Sequence, residues 1–233
     1  MPASIDGVLL DMNGLFRHWH NTGAHTSEQL AGLPHGTIAR YAYHHPAYRL
    51  ARVGILTDQQ WADDVTERLA NDYGPAIRDA LGPWRADRGE ADPEMTDLLT
   101  QLRRHLPVGV LSNCTDALHT DLQHHRIEFD HVFPSAHLGV DKPSPHAFRA
   151  AADHMGIPTH ALAYFDDEPT FVQAAQSVGM QAQLFTGAPQ FAAHLRRYGL
   201  PVAIRHEASG ARRPHRDERR PLALRRLPSQ HGC

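Results

Sequence analysis

Val8-Leu9-Leu10-Asp11-Met12-Asn13-Gly14 is the stretch on which the reading of the fold turns. The run from Ile5 to Leu10 is apolar and short, and Asn13-Gly14 is a turn dipeptide. Together they predict a buried strand that stops at Asp11 and enters a tight turn. Outward from this strand the chain changes character twice. From about Trp19 to Asp87 the pattern is helical and contains no convincing strand. Its clearest piece begins at Thr57, with Gln60 three residues on as a capping box. Trp61, Val65 and Leu69 then recur at helical spacing and mark one apolar face.

Strands and helices alternate after that stretch. Asp92-Pro93 predicts a helix start, with an N-cap carboxylate and proline at the first helical position. Leu98, Leu99, Leu102 and Leu106 form its inward face. The predicted order continues with a strand over 108–111, a helix over 116–125, a short strand around Val132-Phe133 and a helix over 145–155. A strand over 162–165, a helix over 170–178, a strand over 182–185 and a helix over 189–198 complete it. Strands alternating with helices of about a dozen residues predict an α/β fold, a Rossmann-like parallel sheet covered on both faces. Residues 1–15 and 89–204 are then the core, and 16–88 an inserted helical unit.

In such sheets ligands sit at the carboxyl ends of the strands, and the polar residues of this chain gather there. Asp11 closes the first strand and Ser112-Asn113 the second; Lys142-Pro143 follows the third, and Asp166-Asp167 closes the fourth. A carboxylate, a hydroxyl, an ammonium and two further acids thus share one rim.

In these four motifs the chain resembles the haloacid dehalogenase superfamily. Asp11-Met12-Asn13-Gly14 matches the first motif, Asp-x-Asp-Gly, except at the second acid; Ser112, Lys142-Pro143 and Phe165-Asp166-Asp167 match the other three in order. The resemblance spans about 4–200, and the helical stretch corresponds to the α-helical cap that many members insert. It implies a Mg²⁺-dependent hydrolase acting on a small phosphorylated molecule through an aspartyl-phosphate on Asp11. The resemblance implies metal ligation by the Asp11 carboxylate, the Asn13 backbone carbonyl and Asp167, with Asp166 direct or through water. It further implies that Lys142 holds both the nucleophile and the phosphoryl group. Ser112 and the backbone around Gly14 and Asn113 would hydrogen-bond the phosphoryl oxygens.

Asn13 is the departure. Family phosphatases carry there an aspartate that protonates the leaving alcohol, and an amide cannot exchange a proton in the useful pH range. Loss of such a group costs roughly 10²–10⁴ in rate. Four readings stay open: a substrate with a good leaving group such as an acyl phosphate; a proton from His18 or His20; a catalytically impaired phosphate-binding or regulatory protein; or displacement at carbon, as in the dehalogenases. The paired acids Asp166-Asp167 argue against the last, because they would repel a haloacid carboxylate. The substrate-selecting side chain is left open among Arg17, Trp19, Arg40, Tyr41 and Tyr48.

Composition agrees with a globular chain of 233 residues: 41% hydrophobic, 21% charged, net charge −3. That balance points to neither a membrane surface nor a polyanionic partner. Nineteen histidines lack zinc-ligand spacing, and two cysteines, Cys114 and Cys233, make no disulfide framework. The expectation is a reduced, cytoplasmic protein with no secretory signal. Residues 205–233 are rich in arginine and read as a disordered basic tail; a nucleic-acid arm would call for interleaved aromatics that this segment lacks. The sequence sets no oligomeric state.

Overall fold

A computed structural model describes residues 4–204; the expectation of a basic tail falls on 205–233, outside the described residues. Strand β1, Gly7–Leu10, is followed by the two-residue β2, Arg17–His18. Six helices come next: α1 Thr22–Ala31, α2 Thr37–Tyr43, α3 Pro46–Arg52, α4 Asp58–Tyr73, α5 Ile77–Ala80 and α6 Gly82–Ala86. The chain then returns through β3, Glu90–Ala91, and α7, Pro93–Leu102. After them the elements alternate: β4 Val108–Ser112, α8 Leu118–His125, β5 His131–Pro134, α9 Ser135–Leu138, α10 Pro145–Met155, β6 Leu162–Asp166, α11 Pro169–Ser177, β7 Gln181–Leu184 and α12 Ala188–Arg197.

Five strands form one sheet in the order β5-β4-β1-β6-β7, every pair parallel. The α/β parallel sheet read from the sequence is therefore the fold. Both faces are covered, which is why β1, β4 and β6 read as unbroken apolar runs instead of alternating ones. The twofold repeat of a strand sorts their side chains between two cores. Val8, Leu10, Val108, Val110, Ala163 and Phe165 pack on one face with Leu98, Leu99 and Leu102 of α7 and Phe191 of α12. Leu9, Leu111, Leu162 and Tyr164 pack on the other with Phe148 and Ala151 of α10. Because β4-β5 and β6-β7 build outward on opposite sides of β1, the chain connections diverge beside β1. That is the point where such sheets leave a crevice at their carboxyl ends.

Two short strands escaped the sequence reading, as did the one-turn helix α9. Arg17 pairs with Ala91 and His18 with Glu90 in an antiparallel ribbon that closes both ends of the helical insert. Two-residue strands carry no periodicity, so nothing in the local pattern announces them. Leu106 lies beyond the end of α7 and packs against the core from the following turn. No helix among the described residues is long and apolar enough to cross a membrane.

The insert has its own core of Ile38, Tyr48, Trp61, Val65, Leu69, Ile77 and Trp84. At its start α4 carries the capping box in full: the Thr57 hydroxyl accepts from the Gln60 backbone at 3.1 Å, and the Gln60 amide accepts from the Thr57 backbone at 2.9 Å. Trp61 is the centre of this cluster, with Tyr43, Tyr48 and Trp84 rings 5.3–5.8 Å from its own. Its indole N–H donates to the Ala42 carbonyl at 3.0 Å. Trp61→Ala is expected to lower stability by about 3–5 kcal/mol, read as a shifted urea midpoint; a loss under 1 kcal/mol would show that the insert does not depend on this cluster.

Candidate active site

Asp11 is the first residue past β1, its backbone N–H tied to the Phe165 carbonyl on β6 at 3.0 Å. Lys142, which one could read as an exposed loop lysine, is buried. Its ammonium donates to Asp11 Oδ1 at 2.7 Å, to Asp166 Oδ2 at 2.7 Å and to the Tyr164 hydroxyl at 3.1 Å. All three donor positions of a lysine are thereby used. The Asn113 side chain secures the backbone of the same lysine. Asn113 Oδ1 accepts from the Lys142 N–H at 2.7 Å, and Asn113 Nδ2 donates to the Lys142 carbonyl at 2.8 Å. Asn113, expected at the substrate, thus spends both ends of its amide fixing the lysine loop to the end of β4.

Asp166 accepts from Lys142 and Tyr164 on one oxygen and from the Glu168 backbone N–H, at 2.9 Å, on the other. Asp167 is half-buried beside it. The residue that caps α11 is Glu168, whose carboxylate accepts from Thr170, so Asp167 is not used as a helix cap. Ligand oxygens of Asp11, Asp166 and Asp167 all lie within 4.8 Å of one another. Gly14, at φ +78°, makes that approach possible: a Cβ there would stand 2.2 Å from Asp167 Oδ2. Three carboxylates face one ammonium, an excess of negative charge in a buried place, and the donors are all hard oxygens. That donor set fits a small divalent cation such as Mg²⁺.

Burial pushes Asp11 up to about 7, against the pull of Lys142, and the charge of Asp166 adds to the rise. Burial opposes the charge on Lys142 as well, but Asp11 and Asp166 outweigh it and hold the ammonium above its ordinary value. Tyr164 is raised too, by burial first and then by Asp166, and stays a neutral donor.

Ser112 ends β4 next to this cluster. It is fully buried, and its hydroxyl has no hydrogen-bond partner among the described residues. An unmet buried hydroxyl costs about 1–3 kcal/mol, which an oxygen of a bound anion would recover.

Around Asn13 the arrangement is one that the sequence did not disclose. Its Oδ1 accepts from Arg17 Nε at 2.9 Å and from Trp19 Nε1 at 3.1 Å. Arg17 has no exposed surface; its Nη1 donates to Asp121 Oδ2 at 2.6 Å, and Arg88 meets the other oxygen of Asp121 at 3.3 Å. Arg17 and Asp121 are 104 positions apart, so no local pattern could pair them. Tyr164, by contrast, lies two before Asp166 and so shares its side of the strand, a signal that was present and not used. Of the other substrate candidates, Arg40 and Tyr41 pair with Tyr73 and Asp72 away from the site, and Tyr48 is packed against Trp61. His18 pairs with Asp92 at 3.1 Å, and His20 is exposed beside Glu90.

A haloacid dehalogenase-like hydrolase family model matches residues 5–179. The chain belongs to that family and is a hydrolase. It is 35% identical over 199 residues to the phosphatase MT3486 of Mycobacterium tuberculosis, covering 78% of this chain and 87% of that protein. It is 28% identical over 186 residues to the fructose-1-phosphate phosphatase YqaB of Escherichia coli, covering 76% and 91%. The fold is shared with the HAD family enzyme BT-2542 of Bacteroides thetaiotaomicron, solved with magnesium and inorganic phosphate. The TM-score is 0.62 at 18% identity, covering 78% of this chain and 94% of that one.

A carboxylate must shed its proton to bind a metal. With Asp11 raised to about 7, protons compete with the cation below that pH. Mg²⁺ is expected to raise the melting temperature at pH 8 and to do so less at pH 6, by differential scanning fluorimetry. Gly14→Ala is expected to abolish the Mg²⁺ effect, because its Cβ displaces Asp167; an undiminished effect in that variant would remove Asp167 from the metal site.

Proposed function

We propose that this hydrolase is a Mg²⁺-dependent phosphatase of small molecules that works through a phosphorylated Asp11. The observation that carries the reading is Lys142 bound at once to Asp11 and Asp166, beside Asp167 and the unmet Ser112 hydroxyl. The phosphatase names of the two curated relatives support the same substrate class.

Asp11, Asp167 and the Asn13 backbone carbonyl would hold the ion, with Asp166 closing the acidic cluster from behind. Once bound, Mg²⁺ supplies the positive charge that lets an anionic carboxylate approach an anionic phosphoryl group. Lys142 keeps the Asp11 carboxylate turned toward the phosphorus and places a second positive charge beside it. The Ser112 hydroxyl and the N–H groups of the turn at Gly14 would donate to phosphoryl oxygens as negative charge moves onto them. Attack forms the Asp11–phosphorus bond while the bond to the leaving oxygen breaks, and water then releases phosphate and restores the carboxylate. The helical insert over 16–88 acts as the cap. In support, Arg52 of the insert pairs with Asp141, next to Lys142, and Asp58 accepts from the Thr115 hydroxyl, past the end of β4, at 2.9 Å.

Asn13 favours a second reading, a phosphate-binding protein with little turnover. A displacement at carbon has less support, because Asp166 and Asp167 would repel a haloacid carboxylate. The test is phosphate release from a panel of phosphate compounds with and without Mg²⁺, for the natural protein and for Asp11→Asn. Release that needs Mg²⁺ and falls at least about 10³-fold in Asp11→Asn supports the proposal. If the natural protein binds phosphate and is stabilised by it yet releases none from any compound, the binding reading takes its place.

A further inference from the structure

From the surroundings of Asn13 we infer which phosphate compounds the site turns over: those whose leaving group departs as a stable anion, acyl phosphates above all. This rests on the phosphatase reading above and narrows it.

An asparagine can turn either end of its amide to a neighbour, but here the choice is made. Two donors, Arg17 Nε at 2.9 Å and Trp19 Nε1 at 3.1 Å, hold the carbonyl oxygen. Arg17 cannot swing away, because it is buried and ion-paired to Asp121, and its guanidinium stacks 4.7 Å from the centre of the Trp19 ring. The amide nitrogen is thereby turned to the opposite side. A leaving oxygen that meets residue 13 would find an N–H that can stabilise negative charge and has no proton to give. Arg17 and Trp19 are positioning residues for that donor.

His18 stands apart from the clamp on Asn13. It neighbours Arg17 on the short β2, so the two side chains leave on opposite faces. Arg17 goes to Asn13 and Asp121, whereas His18 is held by Asp92 at 3.1 Å and lines the open cleft that Gly14 and Asp167 share. The cavity on the Trp19 side is bounded also by Trp61, Trp84, Cys114 and Thr115. Its volume is about 40 Å³, room for a few water molecules.

The step balances without an acid. Asp11 bonds to phosphorus, the phosphorus–oxygen bond to the acyl group breaks, and its electron pair leaves on a carboxylate that needs no proton at neutral pH. Water then attacks the aspartyl-phosphate; both of its hydrogens end on the released dihydrogen phosphate, and Asp11 leaves as carboxylate. An alkyl phosphate would have to expel an alkoxide.

The experiment compares kcat/KM for acetyl phosphate, 4-nitrophenyl phosphate, phenyl phosphate and fructose 1-phosphate in the natural protein, Asn13→Asp and Trp19→Phe. In the natural protein, kcat/KM is expected to fall along that series, to roughly 10²–10⁴ below acetyl phosphate for the sugar phosphate. Asn13→Asp is expected to raise the poor leaving groups most and flatten the series. Trp19→Phe, which keeps the ring and removes one donor, is expected to lower kcat on acetyl phosphate about three- to tenfold with KM and melting temperature little changed. A flat series in the natural protein, or a slope that Asn13→Asp leaves as it was, overturns the inference while the phosphatase reading stands. An unchanged kcat in Trp19→Phe overturns the positioning role. No release from any of the four compounds, in either the natural protein or Asn13→Asp, overturns the phosphatase reading itself.

Discussion

The ammonium of Lys142 is the charge on which the site depends. It is buried, and so are the two carboxylates it holds 2.7 Å away. Taking such groups out of water costs several kcal/mol per ion, recovered only where geometry and hydrogen bonds are complete. The fold supplies that completeness from three strand ends. Asp11 follows β1, Asp166 ends β6, and Asn113 beyond β4 grips the lysine backbone on both sides. Tyr164 adds the third acceptor. Deleting one partner of a buried pair costs about 3–5 kcal/mol because the survivor is stranded, so this cluster is coupled to the folding of the sheet as well as to chemistry.

The acidic excess that remains fits the site for a divalent cation. One lysine does not balance Asp11, Asp166 and Asp167, and Gly14 lets the third acid come close where any side chain would bar it. Burial first, and the charge of Asp166 after it, hold Asp11 high. A divalent ion bound there would reverse that balance and leave Asp11 ionised for attack on a phosphoryl group.

Much of this was legible in the sequence, and the reasons differ by element. The strands of the sheet are apolar because both faces are buried, and they end in polar residues that the structure gathers on one rim. Such patterns survive in one dimension, so Asp11, Ser112, Lys142 and the acid pair could be found by position alone. The capping box at Thr57 and the start of α7 at Asp92-Pro93 are local chemistry and were equally visible. What could not be seen were contacts between distant segments: Arg17 with Asp121, Asn113 with the backbone of Lys142, and the two-residue ribbon of β2 and β3. The clamp on Asn13 is local, from residues four and six positions on, but it depends on the turn into β2, which no periodicity announces.

The central claim is that Asp11 carries the phosphoryl group. The direct test is to quench the protein during turnover of acetyl phosphate with Mg²⁺, reduce it with borohydride and sequence its peptides by mass spectrometry. Reduction converts an acyl phosphate of aspartate to homoserine, and the account predicts that change at position 11 and at no other acid. Turnover with homoserine at another acid, or at none, would contradict it.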